Sequence, residues 1–294
     1  MQLNLFEDNR PGILLNIADE YLRAGDLDQA LSVYDQIVDE YPDNRSATEL
    51  GVQVKTWRER LAAVDPPTCA PEQLAALQSA LDQAPHPPLR QAVMDFILDT
   101  LQQFPEPDGV YLPPRFHRGH LLMEQKRYSE AASAFQQALS VPDLAWGRFL
   151  VWQADALTMA GQGDDVLLLY LQAFLDDPST VDMASVRHAG IRKLHLYISL
   201  GDDCIEEDDE VAWLPVVGWM NGLFPLPLHM PPDPAQMEDE TTPVPRRWFD
   251  LLTRAEYLRT VNRDDREIVA VRRLMKRLNA ALFQCYMDKI SSSP

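Results

Sequence analysis

One small–aromatic–small arrangement recurs along this chain at a fixed interval, and that recurrence restricts the fold more than any other feature. Gly119 and Ala154 stand 35 residues apart, as do Ala131 and Val166. A period of that length marks stacked supersecondary units rather than one continuous core. The first such stretch is Ile13 to Pro42. Leu14, Ile17, Ala18 and Tyr21 recur at helical spacing, Gly25 and Asp26 interrupt, and Leu27, Ala30, Leu31, Tyr34, Ile37 and Val38 form a second stripe. The pattern predicts two antiparallel helices joined by a short turn. Ala18 and Ala30 are small where helix backbones would cross, and Tyr34 supplies bulk between neighbouring hairpins.

The arrangement returns from Phe116 to Pro142, with Gly119 small, Tyr128 opening the second helix, and Ala131, Phe135, Ala138 and Leu139 following. It returns again from Gly147 to Pro178, with Ala154, Gly161, Tyr170, Ala173 and Phe174. Between them, helical periodicity predicts helices over 48–64, 71–84 and 88–104, the last two opened by Pro71 and Pro88. A further helix is expected over 183–200. Only Val211–Val217 alternates in strand fashion, and it is short. The class is all-α.

Together these residues resemble the tetratricopeptide repeat (TPR) family of helical hairpins. Val166 departs from it, standing where the family has alanine. The resemblance implies an α-solenoid of stacked antiparallel hairpins, because one hairpin cannot bury its apolar face alone. It also implies a concave groove that holds a partner protein or peptide. The groove would be lined by Leu15, Asp19, Leu22 and Arg23, then Phe116, His120 and Glu124, then Val151, Asp155 and Met159. Some members of that family clamp a terminal carboxylate with lysines and an asparagine at such places. This sequence has neither there, and its Asp19, Glu124 and Asp155 favour an apolar partner carrying a basic residue or two.

Charge divides the 294 residues unevenly. The net charge is −19, yet the stretch from Arg246 onward holds eleven Lys/Arg against six Asp/Glu, leaving −24 on the rest. An acidic body repels duplex DNA and acidic membranes, which argues against direct nucleic-acid binding. Residues 202–210 (DDCIEEDDE) hold seven acids in nine positions, followed by a Trp- and Pro-rich apolar stretch to Met230 and a proline-acid segment. We read 1–10 as an N-terminal peptide, 11–201 as the helical solenoid, 202–245 as an acidic and Trp-Pro-rich capping loop, and 246–294 as a basic helical pair. The pair would span 245–261 and 264–289, with Arg272, Arg273, Lys276 and Arg277 forming a basic patch. An acidic strap lying on that patch is one reading, and solvated surface is the other.

Catalytic motifs are missing. There is no nucleophile elbow, Walker loop or dinucleotide fingerprint, and only 12 glycines to build one. His117, His120 and Glu124 share a helical spacing that could begin a metal-dependent hydrolase site, but no second ligand cluster accompanies them. His188 and His195 are explained equally well by packing. Cys69, Cys204 and Cys285 form neither a disulfide framework nor a zinc spacing. The expectation is a non-enzymatic adaptor without metal or cofactor. The first residues carry no basic flank or long apolar core, and no run of 18 uncharged apolar residues occurs, so a cytoplasmic protein without membrane contact is expected.

Ahead of the first hairpin stands Gln2-Leu3-Asn4-Leu5-Phe6. It resembles the short peptide with which bacterial replication and repair proteins dock on the ring-shaped sliding clamp of DNA polymerase. The resemblance implies that Gln2 would hydrogen-bond the pocket rim, Leu3 its edge, and Leu5 and Phe6 fill the pocket. The alternative packs Leu3, Leu5 and Phe6 onto the first hairpin as a cap.

Overall fold

A computed structural model of the chain describes residues 9–81, 86–142, 144–163, 166–201, 205, 210–227, 241–262 and 265–292. Among these residues the secondary structure is helical apart from one antiparallel bridge between Leu112 and Phe116. None of the helices is long and apolar enough to cross a membrane. The chain forms two compact units, Met1–Arg127 and Tyr128–Pro294.

The first unit begins with α1 (Arg10–Arg23) and α2 (Leu27–Glu40), the hairpin that the sequence pattern requires. Gly25 takes φ +77°, a left-handed conformation open to glycine at no steric cost. The Asp26 carboxylate then caps α2 by accepting the Gln29 N–H at 3.0 Å. Arg10 near the start of α1 reaches Glu40 at the end of α2, so the pair is antiparallel. Ala18, Ala30 and Tyr34 are buried as the crossing pattern demands. The next helix, α3 (Arg45–Ala62), is capped by Asn44 and packs on α2; its Gly51 sits where a Cβ would meet Tyr34 Cβ at 3.4 Å. Tyr34 therefore fills the layer between α2 and α3. α4 (Pro71–Ala80) and α5 (Pro87–Leu101) each begin on proline, as expected, and end three or four residues before the predicted boundaries. α5 packs on α1, α3 and α4, and α6 (Arg118–Glu124) packs on α5.

In the second unit α7 (Tyr128–Ala138), α8 (Trp146–Met159) and α9 (Val166–Asp176) are layered in order. Phe135, Phe149 and Trp152 pack edge to face between α7 and α8. Gly147 is required for this layering, because its N–H donates to the Asp177 carboxylate and a Cβ would fall 2.2 Å from the Asp177 carbonyl oxygen. One core then continues through α10 (Ala189–Gly201), α11 (Glu210–Met220), α12 (Val244–Tyr257), α13 (Asp265–Leu278) and α14 (Ala280–Ser292).

Three expectations fail here for identifiable reasons. The helix expected over 183–200 starts only at Ala189, after a separate 3-10 turn at Met183–Ser185 that is capped by Asp182. Val211–Val217 is not a strand, and the stretch is not wholly a loop. It is α11, with Trp213, Leu214, Val216 and Val217 buried. A helix covered on all sides shows no amphipathic period, and Pro215 in its interior disguises it further. Finally, the expected helix 264–289 is two helices. Asn279 ends α13 and caps α14 through the Leu282 N–H at 3.0 Å. Ahead of it, α12 ends in a π-helical turn at Leu258–Asn262.

Replacing Gly147 with alanine drives a methyl into backbone. We expect the second unit to lose about 2 kcal/mol in urea denaturation, the usual scale for overpacking that the structure cannot relax.

Candidate peptide-binding cavity

The residues expected to line a groove do not share one fate. Leu22 and Phe116 in the first unit, and Val151 and Asp155 in the second, are buried core. A partner cannot reach them without unfolding the layer. Leu15 and His120 are half-buried, whereas Arg23, Glu124 and Met159 are exposed.

The acids are committed inside the protein. Asp19 accepts a 2.7 Å hydrogen bond from His86, the residue that precedes α5, and lies 3.9 Å from Arg23. Burial, with the Asp19 charge adding to it, pushes the Tyr34 hydroxyl up to about 12. Glu124 pairs with Arg90 at 3.3 Å and accepts from Gln78. Asp155 Oδ1 accepts both the Tyr170 hydroxyl and the Arg187 N–H, so one oxygen ties α8 to α9 and to the strand of chain before α10. Burial, then the Asp155 charge, raises the Tyr170 pKa. Asp155 is therefore closed to a basic partner, while Asp19 and Glu124 already have partners within the chain.

The metal reading fails on His117. It is fully buried as the N-cap of α6, with Nδ1 accepting the Gly119 N–H at 3.0 Å and Nε2 donating to the Asp108 carbonyl at 3.2 Å. Both ring nitrogens face hydrogen-bond partners, and Glu124 is turned to Arg90. Among the described residues no three His, Cys, Asp or Glu side chains form a metal-holding group. His188 packs against Tyr170, and its Nδ1 accepts the Ile191 N–H; His195 pairs with Glu210.

One concave feature of the first unit lies elsewhere, where helix ends converge. A cavity of about 520 Å³ opens among Arg23 of α1, Leu27 of α2, Leu61 of α3, the outer side of α5, and Arg118 and Leu122 of α6, with Arg127 beyond. Its base is apolar, built from Leu27, Leu61, Ala92, Leu98 and Leu122. Its rim alternates donors and acceptors: Arg23, Arg118, Arg127 and Gln102 against Asp95 and Asp99. The rim is braced from within. Asp95 accepts from Gln91 and, at 2.7 Å, from Gln125, whose carbonyl accepts from Arg127. Arg118 is held by Asp108 at 3.1 Å. Of the expected groove residues only Arg23 lines this cavity. The other lining residues were missed, although Asp95, Asp99 and Gln102 share a polar stripe on α5 with Gln91 at helical intervals.

The basic patch also divides. Arg272 lies over the Tyr286 ring, whose hydroxyl donates to Glu256 and is pushed up to about 12 by burial and that charge. Arg273, Lys276 and Arg277 are exposed. Glu210, last of the acidic run, pairs with His195; its other acids and the peptide Gln2–Phe6 lie outside the described residues.

Residues 13–44 and residues 113–142 each match the tetratricopeptide repeat family. The chain is TPR-like. No curated protein and no solved structure matches it. TPR hairpins are protein-interaction modules, and the helical layers here have the form that such a role needs.

His117 gives a pH test of the first unit. Burial lowers its pKa from 6.5 to about 4. Between those values the unfolded chain carries the extra proton, so the stabilisation is complete above pH 6.5 and lost as pH falls towards 4. We expect a loss on the order of 3 kcal/mol across that window from this residue. His117→Asn, which keeps a capping oxygen, should flatten the slope in denaturant titrations at pH 7 and pH 4.5.

Proposed function

We propose that this TPR-like chain is a non-enzymatic adaptor whose first unit holds a short peptide segment of a partner protein in the α1–α5–α6 cavity. The supporting observation is the cavity's composition. An apolar base offers a seat for one or two side chains, while the braced rim presents donors and acceptors to both polarities of a peptide backbone. Arginine suits such a rim because its planar fork meets carbonyl or carboxylate oxygens in pairs. Of the two rim carboxylates, Asp95 is engaged as a brace and Asp99 is exposed, and no nucleophile accompanies them among the lining residues.

Charge reversal at Asp155 would test only folding, since that side chain is buried. The informative variant changes Arg23→Glu with Asp99→Lys, both exposed on the rim. Affinity capture by the full chain, with mass spectrometry and a direct binding measurement on the partner recovered, should show affinity falling at least about tenfold in the double variant. Unchanged recovery would remove the cavity as the binding surface.

A second reading rests on Gln2–Phe6, which has the residue types of a sliding-clamp peptide. On it the protein is an accessory of bacterial DNA replication or repair, working in the cytoplasm and tethered through Leu5 and Phe6. A fluorescent peptide of residues 1–10 should then bind purified clamp at micromolar concentrations and lose binding when Leu5 and Phe6 become alanine. No binding at tens of micromolar would leave Leu3, Leu5 and Phe6 as a cap.

A further inference from the structure

In the second unit, α10 is apolar on two sides but covered on one. Ile191, Leu194 and Ile198 are buried against the core that includes α11. On the other side Leu196, Tyr197 and Leu200 are 56%, 61% and 77% exposed. A contiguous exposed apolar patch on a folded protein marks a contact surface. A depression of about 650 Å³ runs beside Leu196 between Met183, Ala184 and Ala189, with Arg192 and Lys193 on its edge.

We propose that this face docks an acidic amphipathic helix of a partner protein, a site separate from the cavity of the first unit. The apolar residues fall at Ala189, Leu196 and Leu200, the spacing along which another helix can lay its own leucines. Arg192 and Lys193 are exposed and pair with no carboxylate among the described residues, so they select against a basic helix and favour an acidic one. The nearest acid, Glu210, is occupied by His195 and Ser199. A helical segment suits this face better than an added strand, because the backbone groups of α10 are spent inside the helix and offer no edge to pair with. A lipid surface fits less well, because the acidic body of the chain would be drawn towards an anionic bilayer it repels.

The probe is a labelled synthetic helix of roughly four turns, with leucines at alternating three- and four-residue intervals and glutamates between them. Fluorescence anisotropy with the full chain should show saturable binding at tens of micromolar or tighter. Leu196→Glu with Leu200→Glu should weaken it at least about tenfold. Arg192→Glu with Lys193→Glu should weaken it several-fold, with the difference shrinking as salt rises. All four side chains are exposed, and an unchanged melting curve confirms the fold. The variant Arg23→Glu with Asp99→Lys should bind the probe as the wild type does. Four results would overturn the proposal: no binding of the glutamate helix; equal binding of a helix with lysine in place of glutamate; wild-type affinity in the leucine variants; or sedimentation showing that Leu196→Glu abolishes instead the capture of phosphatidylserine vesicles or the self-association of the chain.

Discussion

A hairpin of two short helices has one apolar flank and nothing of its own to put against it. Every other feature of this protein depends on that shortage. α1 and α2 bury Ala18, Ala30 and Tyr34 with help from α5, which covers α1, and α3, which brings Gly51 against the base of the Tyr34 side chain. In the second unit α8 leans on the end of α9 so closely that Gly147 has a backbone carbonyl where a side chain would begin. Small residues set the distance between helices and aromatic residues fill the layer. The polar ends of the helices are left to shape what a partner meets.

That division explains which parts of the molecule could be read from sequence. The first hairpin was legible to within a few residues, because Gly25, Asp26 and the apolar stripes all point the same way. α11 was not, since burial on every side erases the contrast between faces, and Pro215 argues locally against a helix that tertiary packing nonetheless enforces. Asn279 was equally hard to read. It is an ordinary residue inside a helical pattern until its side chain is seen to cap the following helix.

The site shows the same limit at a finer scale. Helical spacing placed Asp19, Glu124 and Asp155 on suitable faces, but spacing cannot say that His86, Arg90 and Tyr170 arrive from elsewhere to occupy them. An acid read as an open contact can be a brace. Conversely, Arg118 and Arg127 lie far along the chain from Arg23, and only the packing of α6 on α5 brings them to the same opening.

Asp155 carries a last consequence. A single carboxylate oxygen receives hydrogen bonds from two chain segments that are otherwise distant in sequence, and it does so in the interior. Fraying of α9 alone would strand a charge away from water, and so would detachment of the residues leading into α10. That one oxygen therefore couples α9 and the approach to α10 through α8, so loosening either segment is felt by the other.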